Sequence, residues 1–163
     1  MKNLLAVASI CSLLAYGAAP LQAAEGVTET RPSLKRIEAT PKKLDYSGKK
    51  RTGKASFYAK SFNGKKMADG TPMNPHDDNA ASRTLPLGTI ARVTNLETGK
   101  SAVVTIQDRG PYVEGRIVDL SPSTAREIGL THKEGIADVQ MEPIAVPMPD
   151  GSVKAGAAAS GEG

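Results

Sequence analysis

Apolar and polar positions alternate in short stretches from Lys54 onward, and two of the apolar runs end at an aspartate. Lys54-Ala-Ser-Phe-Tyr-Ala59 predicts a short strand. Thr89–Asn95 and Ser101–Gln107 predict two more, joined by Leu96-Glu-Thr-Gly-Lys100 as a β-hairpin with Gly99 where positive φ is needed. Gly115–Val118 and Gly135–Ile144 complete the set. One helix interrupts. Ser121 is a good N-cap, Pro122 suits the first turn, and Gly129 is a stop. Five or six short strands with several edges close most economically into a small barrel.

Parity raises a question about two aspartates. Ala102, Val104 and Ile106 share a face that Asp108 continues, and Ile117 shares one with Asp119. If these apolar faces line the core, both carboxylates end inward rows and converge at one rim, framing a site around the Arg109-Gly110-Pro111 turn. A structural reading stands beside it: Asp108 caps that turn or pairs with Arg109, and Asp119 caps the Pro122 helix, although Ser121 is better placed.

The flanks lack this pattern. Residues 25–52 are polar and charged with no sustained period, and predict a basic disordered linker. Residues 147–163 are rich in glycine, alanine and serine and predict a disordered tail. The folded domain is therefore expected over 53–146, with flexible flanks on both sides. Residues 1–24 combine Lys2, an apolar run from Leu4 to Ala19 and a small-residue end, the pattern of a secretory signal peptide. An uncleaved anchor is the alternative. Cys11 is the only cysteine, and it follows Ile10, which is not the small residue that lipoprotein processing prefers. A lipid anchor there is not expected. An exported, soluble protein of a bacterial periplasm or envelope is, with no thiol chemistry and no disulfide after cleavage.

Composition fits a loop-rich β protein with an aliphatic core: 16 Gly, 11 Pro, 4% aromatics and no Trp in 163 residues. Charge is polarised. Residues 31–66 hold 12 basic and 2 acidic residues, whereas Met67 to the end holds 8 and 13. Such an arm is drawn to anionic surfaces such as phospholipid heads or cell-wall carboxylates. A solvated linker kept soluble by lysines explains it equally. Nucleic acid is not an expected partner outside the cytoplasm, and a monomer is expected. His76 and His132 stand alone in polar stretches, and no ligand spacing supports a metal or other cofactor.

An ordered series of motifs goes further: Gly53-Lys-Ala-Ser-Phe-Tyr58, Phe62-Asn-Gly64, Met67-Ala-Asp-Gly70, Ala80-Ala-Ser-Arg-Thr-Leu-Pro-Leu-Gly-Thr89, Val93-Thr-Asn-Leu96, Asp108-Arg-Gly-Pro-Tyr112 and Gly115-Arg-Ile-Val-Asp-Leu-Ser121. Over 53–144 the chain resembles the rare lipoprotein A (RlpA) family. The resemblance implies a mainly β fold, a six-stranded double-psi β-barrel with one short helix. It also implies an envelope location and peptidoglycan glycan strands as ligand. Well-studied members are lytic transglycosylases acting on glycan that lacks stem peptides.

The departures matter as much. Where active members carry Gly-Glu-x-x-Asp, this chain has Gly70-Thr71-Pro72-Met73-Asn74, and where they carry Ala-Ala-His it has Ala80-Ala81-Ser82. The opening aromatic is Phe57 in place of the more frequent Trp. Lytic transglycosylation needs only one carboxyl, as acid to the leaving oxygen and then as base to the muramic acid's own C6 hydroxyl. Val118-Asp119-Leu120-Ser121 also resembles a motif of expansins, some endoglucanases and MltA-type transglycosylases in which the aspartate is the acid. By that resemblance Asp119 is the candidate acid/base, and Asp108 orients the substrate or tunes its neighbour. Tyr58, Arg109, Tyr112 and Arg116, with Thr71, Asn74 and Ser82 at the departed positions, form the candidate glycan-binding set. Tyr58 and Tyr112 are equally readable as core filler, and the arginines as partners of the two aspartates. A non-catalytic, expansin-like glycan binder is the alternative to the enzyme.

Overall fold

The computed structural model describes residues 43–160. Residues 1–42, which include Cys11, the expected leader and most of the expected linker, and residues 161–163 lie outside them. Seven strands and one α-helix follow in order, with a single 3-10 turn at Lys60–Phe62: β1 Arg51–Phe57, β2 Asn79–Ala81, β3 Ile90–Asn95, β4 Ser101–Asp108, β5 Arg116–Leu120, α1 Pro122–Glu127, β6 Ala137–Pro147 and β7 Val153–Ala155. The ladder runs β1-β5-β2-β4-β3-β6, and β6 pairs back onto β1, so six strands close into a barrel. The pairs β1–β5 and β2–β4 are parallel and the others in the ring antiparallel. This is a double-psi β-barrel, as the motif series implies.

Its core is aliphatic. Leu85, Val93, Val104, Ile106, Val118, Leu120, Ile128, Leu130, Val139 and Met141 are buried together. Fully burying a side chain of this kind stabilises by about 1.5–3 kcal/mol. Local signals land where the pattern places them. Gly99 turns the β3–β4 hairpin at φ 69°. The Ser121 side chain, not Asp119, caps α1 by accepting from Thr124 N.

Three expectations change. The first concerns β2, which the periodicity does not reveal. Its three residues Asn79-Ala-Ala81 carry no β-branched or aromatic signal, yet they form a buried strand between β4 and β5. The second concerns the inward rows. In β5 the core residues are Val118 and Leu120, so Asp119 faces outward. The β2–β4 register shifts between Ala80, opposite Ile106, and Ala81, opposite Asp108. The extra residue, Gln107, turns Asp108 off the inward row of Ile106 and onto the outer face of Ala81, because a bulge re-aims the side chains beyond it. Both carboxylates converge at one place, but outside the core.

The third change is at the domain ends. The ordered chain extends past 53–146: β1 starts at Arg51, β6 runs to Pro147, and β7 pairs with Ala145–Pro147. Beyond β7, Gly156 N donates to Ile144 O at 2.9 Å, Ala157 N to Gly48 O at 2.9 Å and Ala158 N to Pro143 O at 3.0 Å. This strap clasps the approach to β1 against β6. A Cβ at Gly156 would lie 2.2 Å from Pro143 O, which is why small residues serve here. Small side chains hide an element whose bonds to the barrel are main-chain.

Candidate active site

Ala81 organises the site. It stands opposite Asp108 across the parallel β2–β4 ladder and opposite Asp119 across the antiparallel β2–β5 ladder. Cross-strand partners share a face. The two aspartates therefore flank one small side chain on the same outer surface, their backbones about 10 Å apart across the sheet at two strand spacings. A groove of about 370 Å³ opens there, lined by Phe57, Tyr58, Phe62, Ala81, Asp108, the Arg109–Tyr112 turn, Arg116 and Asp119.

The two carboxylates have different surroundings. Asp108 is engaged on both oxygens: Oδ2 accepts from Tyr58 Oη at 3.1 Å, and Oδ1 from Ala68 N at 3.0 Å and its neighbour Arg109 N at 2.8 Å. It ties the segment around Ala68 to the end of β4. Asp119 is engaged on one oxygen. Oδ1 accepts from Ser56 Oγ, its partner across the β1–β5 ladder, and from Arg116 Nη2 at 3.0 Å. Oδ2 has no hydrogen-bond partner among the described residues. One aspartate is built into the wall, and the other keeps one oxygen unengaged.

Tyr58 roofs this pair. It is buried, 7% exposed, and clusters with Met67, Met73 and Ala81. Burial, then the Asp108 charge and hydrogen bond, and Asp119, push its phenol far above the usual tyrosine range, so it stays an O–H donor. Phe62 stacks against it at a tilt, ring centroids 5.7 Å apart, with Lys65 Nζ 5.3 Å from the Phe62 ring centre. Tyr112 at the rim is 48% exposed. Arg109 lines the groove but spends Nη1 on the carbonyls of Ser82 and Leu85, at 3.1 and 2.6 Å, rather than on Asp108.

Of the residues singled out from sequence, the structure brings Tyr58, Asp108, Arg109, Tyr112, Arg116 and Asp119 to one groove. It does not bring Thr71, Asn74 or Ser82 there. Ser82 is fully buried, its Oγ accepting from Thr84 N and Leu85 N in the turn after β2. Thr71 donates to Asp69 in the tight turn beyond Ala68. Asn74 accepts from His76 N. Ser56 and Ala81 escaped the sequence reading. Strand parity carried a signal for Ser56, which sits two residues before Tyr58, whereas Ala81 has no chemistry to betray it.

A closed double-psi barrel with two carboxylates facing a groove on its outer wall defines the class. A sequence model of the family described as Lytic transglycolase matches residues 50–141, more than half of the chain, and the chain belongs to that family. It is 50% identical over 98 residues to the endolytic peptidoglycan transglycosylase RlpA of Pasteurella multocida, covering 60% of this chain and 33% of the relative. To the protein of that name in Vibrio cholerae it is 43% identical over 98 residues, covering 60% and 37%. To the probable one of Synechocystis it is 47% identical over 90 residues, covering 55% and 28%. The chain thus spans about a third of the curated relatives it matches. Among solved structures it is similar to the Streptomyces papain inhibitor, 23% identical with a TM-score of 0.46, covering 58% of this chain and 94% of that one. It is also similar to apo Clavibacter michiganensis expansin, 21% identical with a TM-score of 0.45, covering 58% and 50%.

Proposed function

We propose that this chain is an endolytic lytic transglycosylase that cuts peptidoglycan glycan strands, with Asp119 as its single acid/base. The observation that carries the reading is the asymmetry of the two carboxylates. Asp119 faces the groove with Oδ2 unengaged, while Asp108 is held at both oxygens by wall donors. The printed names of the relatives supply the substrate class.

In the step, Asp119 delivers a proton to the glycosidic oxygen as the C1–O bond breaks. The C6 hydroxyl of the same sugar attacks C1 and gives its proton to the resulting carboxylate. The products are a 1,6-anhydro end and a free hydroxyl, and Asp119 returns to its starting state. No water is activated, so the paired carboxylates of ordinary glycoside hydrolysis are not required. Ser56 and Arg116 hold Oδ1 and thereby aim Oδ2. Tyr112 and Phe62 offer exposed ring surface to sugars, and Arg116 offers charge to carboxylates on the strand. Residues 1–24 act as the export leader, and the protein works in the periplasm.

One observation favours a second reading, a non-lytic glycan binder. The positions where active members place Glu and His are Thr71 and Ser82, and Ser82 is spent on backbone amides. Incubation with denuded glycan strands, read by mass spectrometry, tests the two. Anhydro ends that vanish in Asp119→Asn support the enzyme; glycan retained without anhydro product supports the binder.

A further inference from the structure

A second concavity of the barrel lies away from the groove. About 500 Å³ opens between the approach to β1 and the strap after β7, lined by Ser47, Lys49, Lys50, Lys154 and Ser160 around the Gly48–Gly156 crossing. Three lysines line it and no carboxylate does. Among the described residues none of the three joins an ion pair, whereas Arg51 just beyond them is paired with Asp45, and Lys54 with Asp138. Ser47 Oγ accepts from Lys49 N at 3.2 Å, and Asp45, held by Ser47 and Arg51, stands just outside the lining.

We propose that this cleft is a binding site for phosphate-bearing anions. Lysine ammonium groups are compact point charges suited to phosphate oxygens, and like charges gathered around a concavity focus the local field. The cleft is assembled by the fold. Lys154 comes from the far end of the chain and meets Lys49 and Lys50 only because β7 pairs with β6 and Ala157 N bonds to Gly48 O. Gly48, at φ 72°, lies so close to Gly156 that a Cβ there would stand 3.2 Å from its Cα. In the sequence, Arg31, Lys35, Arg36, Lys42 and Lys43 precede the cleft's lysines. The shared ligand chemistry is a phosphate mono- or diester, presented by a lipid headgroup or free in solution. Lys50 and Phe57 are separated by seven residue steps along β1, about 23 Å at strand rise, so an anion held in the cleft leaves the glycan groove open.

The test titrates the full chain with pyrophosphate by NMR, beside the Lys49→Gln/Lys50→Gln/Lys154→Gln variant. Saturable shifts of amides 47–50 and 154–157 are expected, reduced at least tenfold in affinity in the variant and weakened by salt. The Lys154→Gln single variant is expected to weaken binding while leaving the arm intact. Shifts that never saturate, or a triple variant that binds like the parent, overturn the proposal. A second arm compares anionic phosphatidylglycerol with neutral phosphatidylcholine vesicles, so that the apolar run Leu4–Ala19 contributes equally to both. An anionic excess lost in the triple variant assigns the lipid headgroup. Equal binding to both vesicles, with the pyrophosphate result retained, assigns soluble phosphate. An anionic excess that survives in the triple variant while pyrophosphate binding fails overturns the site.

Discussion

Ser56 and Asp119 stand opposite each other in the parallel β1–β5 ladder, and Ser56 Oγ donates to Asp119 Oδ1. The ladder fixes this bond. It aims the second oxygen of Asp119 at the groove without help from any loop.

In the proposed reaction, Asp119→Asn removes the proton that the leaving oxygen needs. The rate of anhydro-end formation is expected to fall by about 100- to 10,000-fold, the range for a lost general acid. Glycan binding and the thermal midpoint remain near those of the parent. A variant that still produces anhydro ends at more than a tenth of the parent rate would remove Asp119 from the acid/base role.

Tyr58→Phe strips a buried donor from Asp108. The expected cost is about 1–3 kcal/mol, seen as a lower midpoint in thermal or urea unfolding. The pH dependence carries a sign. The folded phenol titrates above its usual value of 10.0, so its contribution is complete below about pH 10 and is lost as pH rises through the folded value. Stability of the parent is therefore expected to decline above pH 10 more steeply than that of Tyr58→Phe. Parallel curves would show that the phenol is not held back from ionising.

Tyr112→Ala tests the rim. The ring is about half exposed, so its loss is expected to leave the midpoint within about 0.5 kcal/mol of the parent. Affinity for glycan fragments is expected to fall by several-fold, measured by calorimetry. Unchanged affinity would mean that sugars do not stack there.

Gly156→Ala tests the strap. Its Cβ would collide with Pro143 O at 2.2 Å, a main-chain atom that cannot step aside cheaply. Faster hydrogen exchange at Ala157 and Ala158 is expected, together with a lower midpoint. Exchange like that of the parent would show that the strap absorbs the methyl group.

Much of this molecule is legible in its sequence, and the limits are physical. The hairpin around Gly99 and the capped helix after Ser121 announce themselves through local chemistry that no distant contact overrides. Asp108 and Asp119 were identifiable because each closes an apolar run, but their direction was not. The bulge at Gln107 and the burial of Val118 in place of Ile117 are decided by neighbouring strands. β2 and the strap were invisible for a common reason. Alanine and glycine carry no pattern, and their contribution is to let main chains approach. Ser82 shows the converse, since its place in the motif series pointed to the groove while its side chain turns to the backbone of its own loop.

The register around Ala81 has a consequence for how such a protein can change. The distance between the two carboxylates is set by two ladder spacings and is independent of the turns at Thr71, Asn74 and Ser82. Those turns are interchangeable parts mounted on a fixed gauge. Residues can be exchanged there without altering the separation that the ladders impose on positions 108 and 119.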